Sequence, residues 1–193
     1  MPDDLRTLTR YEQDFYAWAT EQARQLRAAG KALDDPARQP DGLPTALRTL
    51  DWQNLAEEIE GLARRDRREL ASRIATIVEH LAKLQFSPAQ EPRTAWIETI
   101  GRSRREIRDL LVDNPSLRRQ VAGLLRENAA DALHLAARLL LERGEAAAAS
   151  AVRVGPSYTP EQVLEDWWPE RVAIGAPAGR SSRRARRTVI RPD

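Results

Sequence analysis

The chain has 193 residues, of which 41% are hydrophobic and 31% charged, with a net charge of +2 and no cysteine. Disulfides, zinc–thiolate sites, iron–sulfur ligation and cysteine nucleophiles are thereby excluded, and no apolar run reaches the ~18 residues that a membrane span needs. The charge is unevenly placed: residues 180–193 hold six of the 31 basic and one of the 29 acidic side chains, so a basic tail follows a mildly acidic body.

The opening MPDDLRTLTRYEQD is polar and acidic and has no apolar signal-peptide core, which gives the expectation of a cytoplasmic protein. Val, Ile and Thr never alternate over a useful length, whereas Ala, Leu, Arg, Glu and Gln dominate. The expected fold class is therefore all-α, a single bundle of about five long helices followed by short C-terminal ones. The first helix reads from about 10 to 28, with Tyr11, Phe15, Trp18, Ala19, Gln22 and Leu26 on one face and Gly30 as its terminator. Residues 31–47, with three prolines and a glycine, read as a loop insertion. Asp51 caps a second helix over 52–64, and Leu55, Ile59 and Leu62 form its expected core stripe. Asp66 with Glu69 resembles a capping box that opens a third helix over 67–86, lined by Leu70, Ile74, Ile77, Leu81 and Leu84.

A fourth helix, about 93–112, places Trp96, Ile97, Ile100, Ile107 and Leu111 inside. Asn114 and Pro115 stop it and open a fifth over 116–143, which Gly144 ends. A short alanine-rich helix follows at about 145–151. Thr159-Pro160-Glu161-Gln162 carries a cap, a proline at the first position and a glutamine three on from the cap, so another short helix starts there. The tail from 175 has no core-forming pattern and is expected to be disordered.

Chemistry-bearing motifs are sparse. The chain has no G-x-G-x-x-G, no Walker loop and no G-x-S-x-G elbow. His80 and His134 lie on different helices, and neither sits in an H-E-x-x-H or E-x-x-H pattern, so the sequence implies no metal and no cofactor. Polar residues at the edges of apolar faces remain. Glu58 lies beside the Leu55–Ile59–Leu62 stripe, Asn54 sits one turn before it, and Glu57 points to water. Arg73, Thr76, His80 and Lys83 share an edge of the third helix, and Asp14 and Glu21 flank the Trp18 face.

Two readings of the candidate cluster Asp14, Asn54, Glu58, His80 and Lys83 stay open. In one, these groups gather in an inter-helix pocket walled by Trp18 or Trp96 and do acid–base work. In the other, they fix helix packing, with Glu58 satisfied by Arg73 or His80 across an antiparallel pairing of the second and third helices. His134 reads as a surface or packing residue, and Trp167-Trp168 as an anchor for the C-terminal segment, with a partner-binding aromatic patch as the lesser option. RSSRRARRTVIR in the tail can contact nucleic-acid backbone weakly, but the body shows no matching basic face, so the chain does not read as a nucleic-acid-binding protein.

YEQDFYAW, LDWQNLAEEIEGL and RRELASRIATIVEHLAKLQF, then TIGRSRREI, NPSLR and YTPEQVLEDWWPE, occur in an order that resembles the DUF29 family, bacterial domains of unknown function, over about residues 11–170. The resemblance implies an all-helical fold with no established activity. It also implies that Asp14, Trp18, Asn54, Glu57, Glu58, Glu60, His80, Lys83 and Trp96 are family-typical positions. The length of the 31–47 insertion and the arginine tail depart from the family pattern.

The sequence thus leads to one helical domain over 1–174 and a separate tail over 175–193. With no recognised catalytic motif, the expected role is a protein-interaction or regulatory module with a protein partner or a second copy of itself. The alternative is a small-molecule binder or enzyme built on the Asp/Glu/His/Lys cluster.

Overall fold

The computed structural model describes residues 9–34 and 44–173. Within them the chain forms eight α-helices and no strand, which bears out the all-α class: α1 Arg10–Gln13, α2 Phe15–Leu33, α3 Thr45–Arg48, α4 Trp52–Phe86, α5 Arg93–Asp113, α6 Val121–Glu142, α7 Ala146–Val154 and α8 Pro160–Leu164. A 3-10 turn over Pro115–Gln120 links α5 to α6, where the sequence suggests that the helix begins directly. The tail and most of the 31–47 insertion lie outside the described residues.

The long helix α4 organises the bundle. Its 35 residues span about 52 Å at 1.5 Å each, and it merges the second and third helices expected from the sequence. No break occurs at Asp66. The stretch LARRDRRE holds no glycine or proline, and Arg64–Glu60 and Arg73–Glu69 pairs one turn apart brace the join. The true cap is Asp51, which accepts from the Asn54 amide at 3.0 Å. Asp66 sits mid-helix; burial, followed by Glu69, pushes its carboxyl up, and a bond with Asn114 works the other way.

The C-terminal half of α4 carries the main core. Leu70, Ile74, Ile77, Val78, Leu81 and Leu84 pack with Trp96, Ile100, Ile107 and Leu111 of α5 and with Leu117, Val121, Leu124 and Leu125. A second core of small residues joins Ala82 to Ala136, Ala137 and Leu140 of α6 and to Ala148, Ala149 and Val152 of α7. Gly144 and Gly155, both at positive φ, end α6 and α7 where glycine alone adopts that backbone freely. Thr159 and Gln162 complete the expected capping box of α8.

The N-terminal half of α4 pairs mainly with α2, as an antiparallel hairpin, and at its end Arg67 donates to Gln120 at 3.0 Å and to Glu127 at 2.9 Å. The α2–α4 contact is a spine of small residues: Ala19, Ala23 and Gly30 on α2, Ala56 and Ala63 on α4. Gly30 does not end α2; it is buried, and a Cβ there would stand 2.6 Å from the Trp52 Cβ. Arg27 reaches across to Glu60, which Arg64 also contacts at 2.9 Å. The expected stripe is therefore corrected. Leu55 and Leu62 are 41% and 49% exposed, because the close approach of α2 selects alanines and not leucines for the interface.

Candidate functional site

The structure separates the candidate polar residues into three places. Asp14 breaks the chain between α1 and α2 and caps α2, accepting from the Ala17 amide at 2.8 Å. The same carboxylate accepts from the Ser116 amide at 2.7 Å and the Ser116 hydroxyl at 2.9 Å, so it also caps the 3-10 turn. Asn114 returns the bond by accepting from the Tyr16 amide at 2.8 Å. Asp14 thus docks α2 on the end of α5 and takes no part in a cluster with His80. Asn54 donates to the Asp51 carboxylate at 2.6 Å and belongs to the cap of α4. Glu58 is exposed, contrary to its expected half-burial, and makes no ion pair among the described residues. Glu58 and His80 lie on one rigid helix, ~33 Å apart along its axis. The proposed antiparallel pairing of Glu58 with Arg73 or His80 is impossible, because both halves belong to α4.

His80, Lys83 and Trp96 do come together. Lys83 is only 7% exposed and donates to Glu79 one turn before it. Its ammonium lies 5.9 Å from the Trp96 ring centroid, and the Arg143 guanidinium lies at the same distance from that ring. Arg143 in turn donates to Glu145 at 3.1 Å, across the turn between α6 and α7. The second Glu145 oxygen is buried and finds no hydrogen-bond donor among the described residues. Two cations and two carboxylates therefore balance around one indole; burial strengthens the Lys83–Glu79 pair, while Arg143 stays exposed to water. The His80 Nδ1 stands 2.9 Å from the Thr76 carbonyl, which can only accept, so Nδ1 carries the hydrogen. The cluster joins α4, α5 and the α6–α7 turn.

Burial holds the His80 pKa below its ordinary value, with Lys83 and Arg102 adding to the effect and Glu79 and the Thr76 carbonyl opposing it. A folded pKa below the unfolded one means that the unfolded chain binds more protons in the interval between them. Stability is therefore full above the ordinary histidine value near ~6.5 and falls as pH drops through it. Urea midpoints measured from about pH 7.5 down to about pH 5 are expected to decline, and His80→Gln is expected to flatten that decline.

Two functional features were not legible in the sequence reading. The first is Arg104, 6% exposed among the apolar residues of α5. It donates to the carbonyls of Val163 at 3.1 Å, Gln162 at 2.9 Å and Trp167 at 2.8 Å, and its guanidinium stacks 4.8 Å from the Trp168 ring. The signal was its spacing: Ile100, Arg104, Ile107 and Leu111 repeat on one face. Tyr158 donates to Gln85 at 2.8 Å and Val172 to the Gln85 carbonyl at 2.8 Å, so the segment after α7 is clasped to the body. The anchor role read for Trp167 and Trp168 acts through these contacts, and Trp167 packs on the main core. A groove of about 510 Å³ opens beside the clasp, walled by Phe86, Val154, Tyr158 and Trp167.

The second feature is a face of the α2–α4 hairpin. At ~100° per residue, Arg27 and Glu60 lie on one edge of the alanine spine. Phe15, Trp18, Gln22, Leu26 and Ala29 of α2 lie on the opposite edge, as do Leu55, Ile59 and Leu62 of α4. Because antiparallel helices present matching edges on the same side, these residues make one continuous face. Phe15, Trp18, Leu26, Leu55, Ile59 and Leu62 belong to neither core. Tyr11 stacks edge-on against Phe15 at 5.5 Å and Trp18 at 4.9 Å, so Trp18 walls an aromatic cluster and no polar pocket.

Among the described residues no group of three or more acidic or histidine side chains is arranged to hold a metal ion, and no helix is long and apolar enough to cross a membrane. Fold and site define an all-helical protein organised on one long helix, with a packed body at one end and a two-helix arm at the other. The model of the family described as domain of unknown function DUF29 matches residues 10–168, and the chain belongs to that family. An alpha-helical protein of unknown function from Rhodospirillum rubrum has the same fold: the TM-score is 0.59 and the identity 23%, over 83% of this chain and 92% of that one. No curated protein matches the chain.

Proposed function

We propose that the chain is a protein-interaction module of the cytoplasm whose working surface is the apolar face of the α2–α4 hairpin. One observation carries this reading: Leu55 and Leu62, aligned along one stripe of α4, are 41% and 49% exposed beside the half-buried Trp18, Leu26 and Ile59. Single exposed leucines are ordinary, but a contiguous apolar face on a two-helix arm is a typical docking surface. Among the described residues no second layer covers this two-helix arm, whereas domains are built from at least two layers. The alternative, catalysis by Asp14, Glu58, His80 and Lys83, requires groups within hydrogen-bond reach, and Glu58 and His80 are ~33 Å apart along α4.

The reading is tested by placing a photo-crosslinking amino acid at Leu55 or Leu62 in the native cell, with Ala28 on the solvent-facing side of α2 as control. Protein adducts are expected from positions 55 and 62 and not from 28. Equal yields at all three positions, or no adduct at 55 and 62, would count against it.

A further inference from the structure

We propose that His80 is a phosphoryl-accepting residue: its Nε2 takes a phosphoryl group from a donor of the phosphoramidate class, and the Arg102 guanidinium on α5 pairs with the group transferred. The site lies on the packed body, away from the hairpin face, and does not rest on the interaction reading above.

A histidine is a nucleophile through a lone pair that is both free and reachable. The Nδ1–H of His80 is spent on the Thr76 carbonyl at 2.9 Å, which places the ring's lone pair on Nε2. Nε2 has no hydrogen-bond partner among the described residues, and it is not one of the buried atoms left without one. It therefore opens to water, although the side chain as a whole is only 16% exposed. The ring is held while the reactive atom faces out. His80 does not line the groove beside the clasp, so a donor reaches Nε2 from the surface.

The charges around the ring suit the transfer. Glu79 stands 3.9 Å from Nδ1, and the same carboxylate oxygen accepts from Lys83. Attack through Nε2 leaves the ring positive with the Nδ1 hydrogen in place, and the Thr76 carbonyl and Glu79 then face that charge. Arg102 is exposed, makes no ion pair among the described residues, and lies near enough to act on His80 through its charge. The pairing of α4 with α5 places it there. Arg73 meets Glu106 at 2.9 Å across the seam between these helices. His80 lies two turns further along α4, and Arg102 one turn back along α5. Because the His80 ring leans back toward Thr76, ring and guanidinium stand over the same stretch of the seam. Guanidinium is the side-chain group that pairs with phosphoryl oxygens two at a time.

The step balances without a further reactant. The Nε2 lone pair attacks phosphorus in the phosphoramidate monoanion, whose nitrogen already carries three hydrogens. The P–N bond breaks, and ammonia leaves with its electron pair. A neutral ring plus a monoanion becomes a positive ring bearing a dianionic phosphoryl group, plus neutral ammonia.

The test uses the full chain, in which His80 and His134 are the only histidines. It is incubated with potassium phosphoramidate at about pH 7.5, above the range in which free histidine titrates. Products are read by phosphorus NMR, which separates Nε2 from Nδ1 adducts, and by peptide mapping in alkali, where the P–N bond survives. His134 is exposed and serves as the internal reference. His80 is expected to label at least about tenfold faster than His134, and on Nε2 alone. Exposure by itself predicts the reverse order. Arg102→Ala should slow labelling of His80 about tenfold and leave His134 unchanged, and Arg102→Lys should recover part of the rate. His80→Gln should remove the fast phase with circular dichroism unchanged.

Equal labelling of the two histidines, slower labelling of His80, or an Nδ1 adduct at His80 overturns the phosphoryl-accepting assignment. A His80 rate indifferent to Arg102→Ala overturns the role of Arg102, and with it the proposed site. These outcomes are independent of crosslinking through positions 55 and 62, which tests the hairpin face alone.

Discussion

Replacing Arg104 with leucine is expected to cost about 3–5 kcal/mol and to free the C-terminal segment. The guanidinium is buried, and burial lowers its pKa, yet it donates to three backbone carbonyls of one short segment. Leucine fills similar volume but leaves the carbonyls of Gln162, Val163 and Trp167 without their donor and removes the stack on Trp168. For a chain of this length the melting temperature should fall by roughly 10 °C. Hydrogen exchange over residues 158–172 should rise before that of α4. Arg104→Lys is expected to recover little, because a point charge on a flexible stem cannot serve three acceptors in the fork geometry of guanidinium. Unchanged exchange in that segment would show that the clasp is held by Tyr158, Val163 and Trp167 packing alone.

The second large effect concerns Gly30 and reverses an ordinary rule. In a helix interior, glycine to alanine usually stabilises by up to about 1 kcal/mol. Gly123 obeys that rule, since a Cβ there meets nothing within 4 Å, and Gly123→Ala is expected to stabilise by about 0.5–1 kcal/mol. Gly30→Ala is expected to destabilise by about 2 kcal/mol, because its Cβ would stand 2.6 Å from the Trp52 Cβ, an atom fixed to the α4 backbone. The hairpin must open to accept the methyl group. Chemical denaturation of the two variants side by side gives the answer in the sign. A stabilised Gly30→Ala would mean that α2 and α4 do not approach as closely as their alanine spine requires.

Both results bear on how much of this molecule could be read in advance. Caps and terminators were legible, because they depend on local hydrogen bonding: Asp51 and Thr159 begin helices, and Gly144 ends one. The leucine and isoleucine stripe from Leu70 to Leu84 was legible, since one face of that stretch is far more apolar than any other. The Asp66–Glu69 pair misled, because a capping signature at a junction competes with a run of strong helix formers. Those helix formers, free of glycine and proline and braced by the Arg64–Glu60 and Arg73–Glu69 pairs, win that competition. The stripe at Leu55 misled for a related reason. Hydrophobicity favours burying leucines, while the closeness of two backbones favours alanine and glycine.

By itself the sequence determined the helical class, the helix ends at Asp51, Gly144 and Thr159, the cysteine-free chemistry and the likeness to a family, all of which follow from composition, local bonding and motif order. Only the tertiary structure decided which polar groups meet. Asp14 caps two helical segments, His80 and Lys83 join a charge-balanced cluster about Trp96, and Glu58 stands alone on an exposed rim. The physical reason is distance. A rigid 35-residue helix holds Glu58 and His80 ~33 Å apart, where a break at Asp66 would have let the two halves fold together.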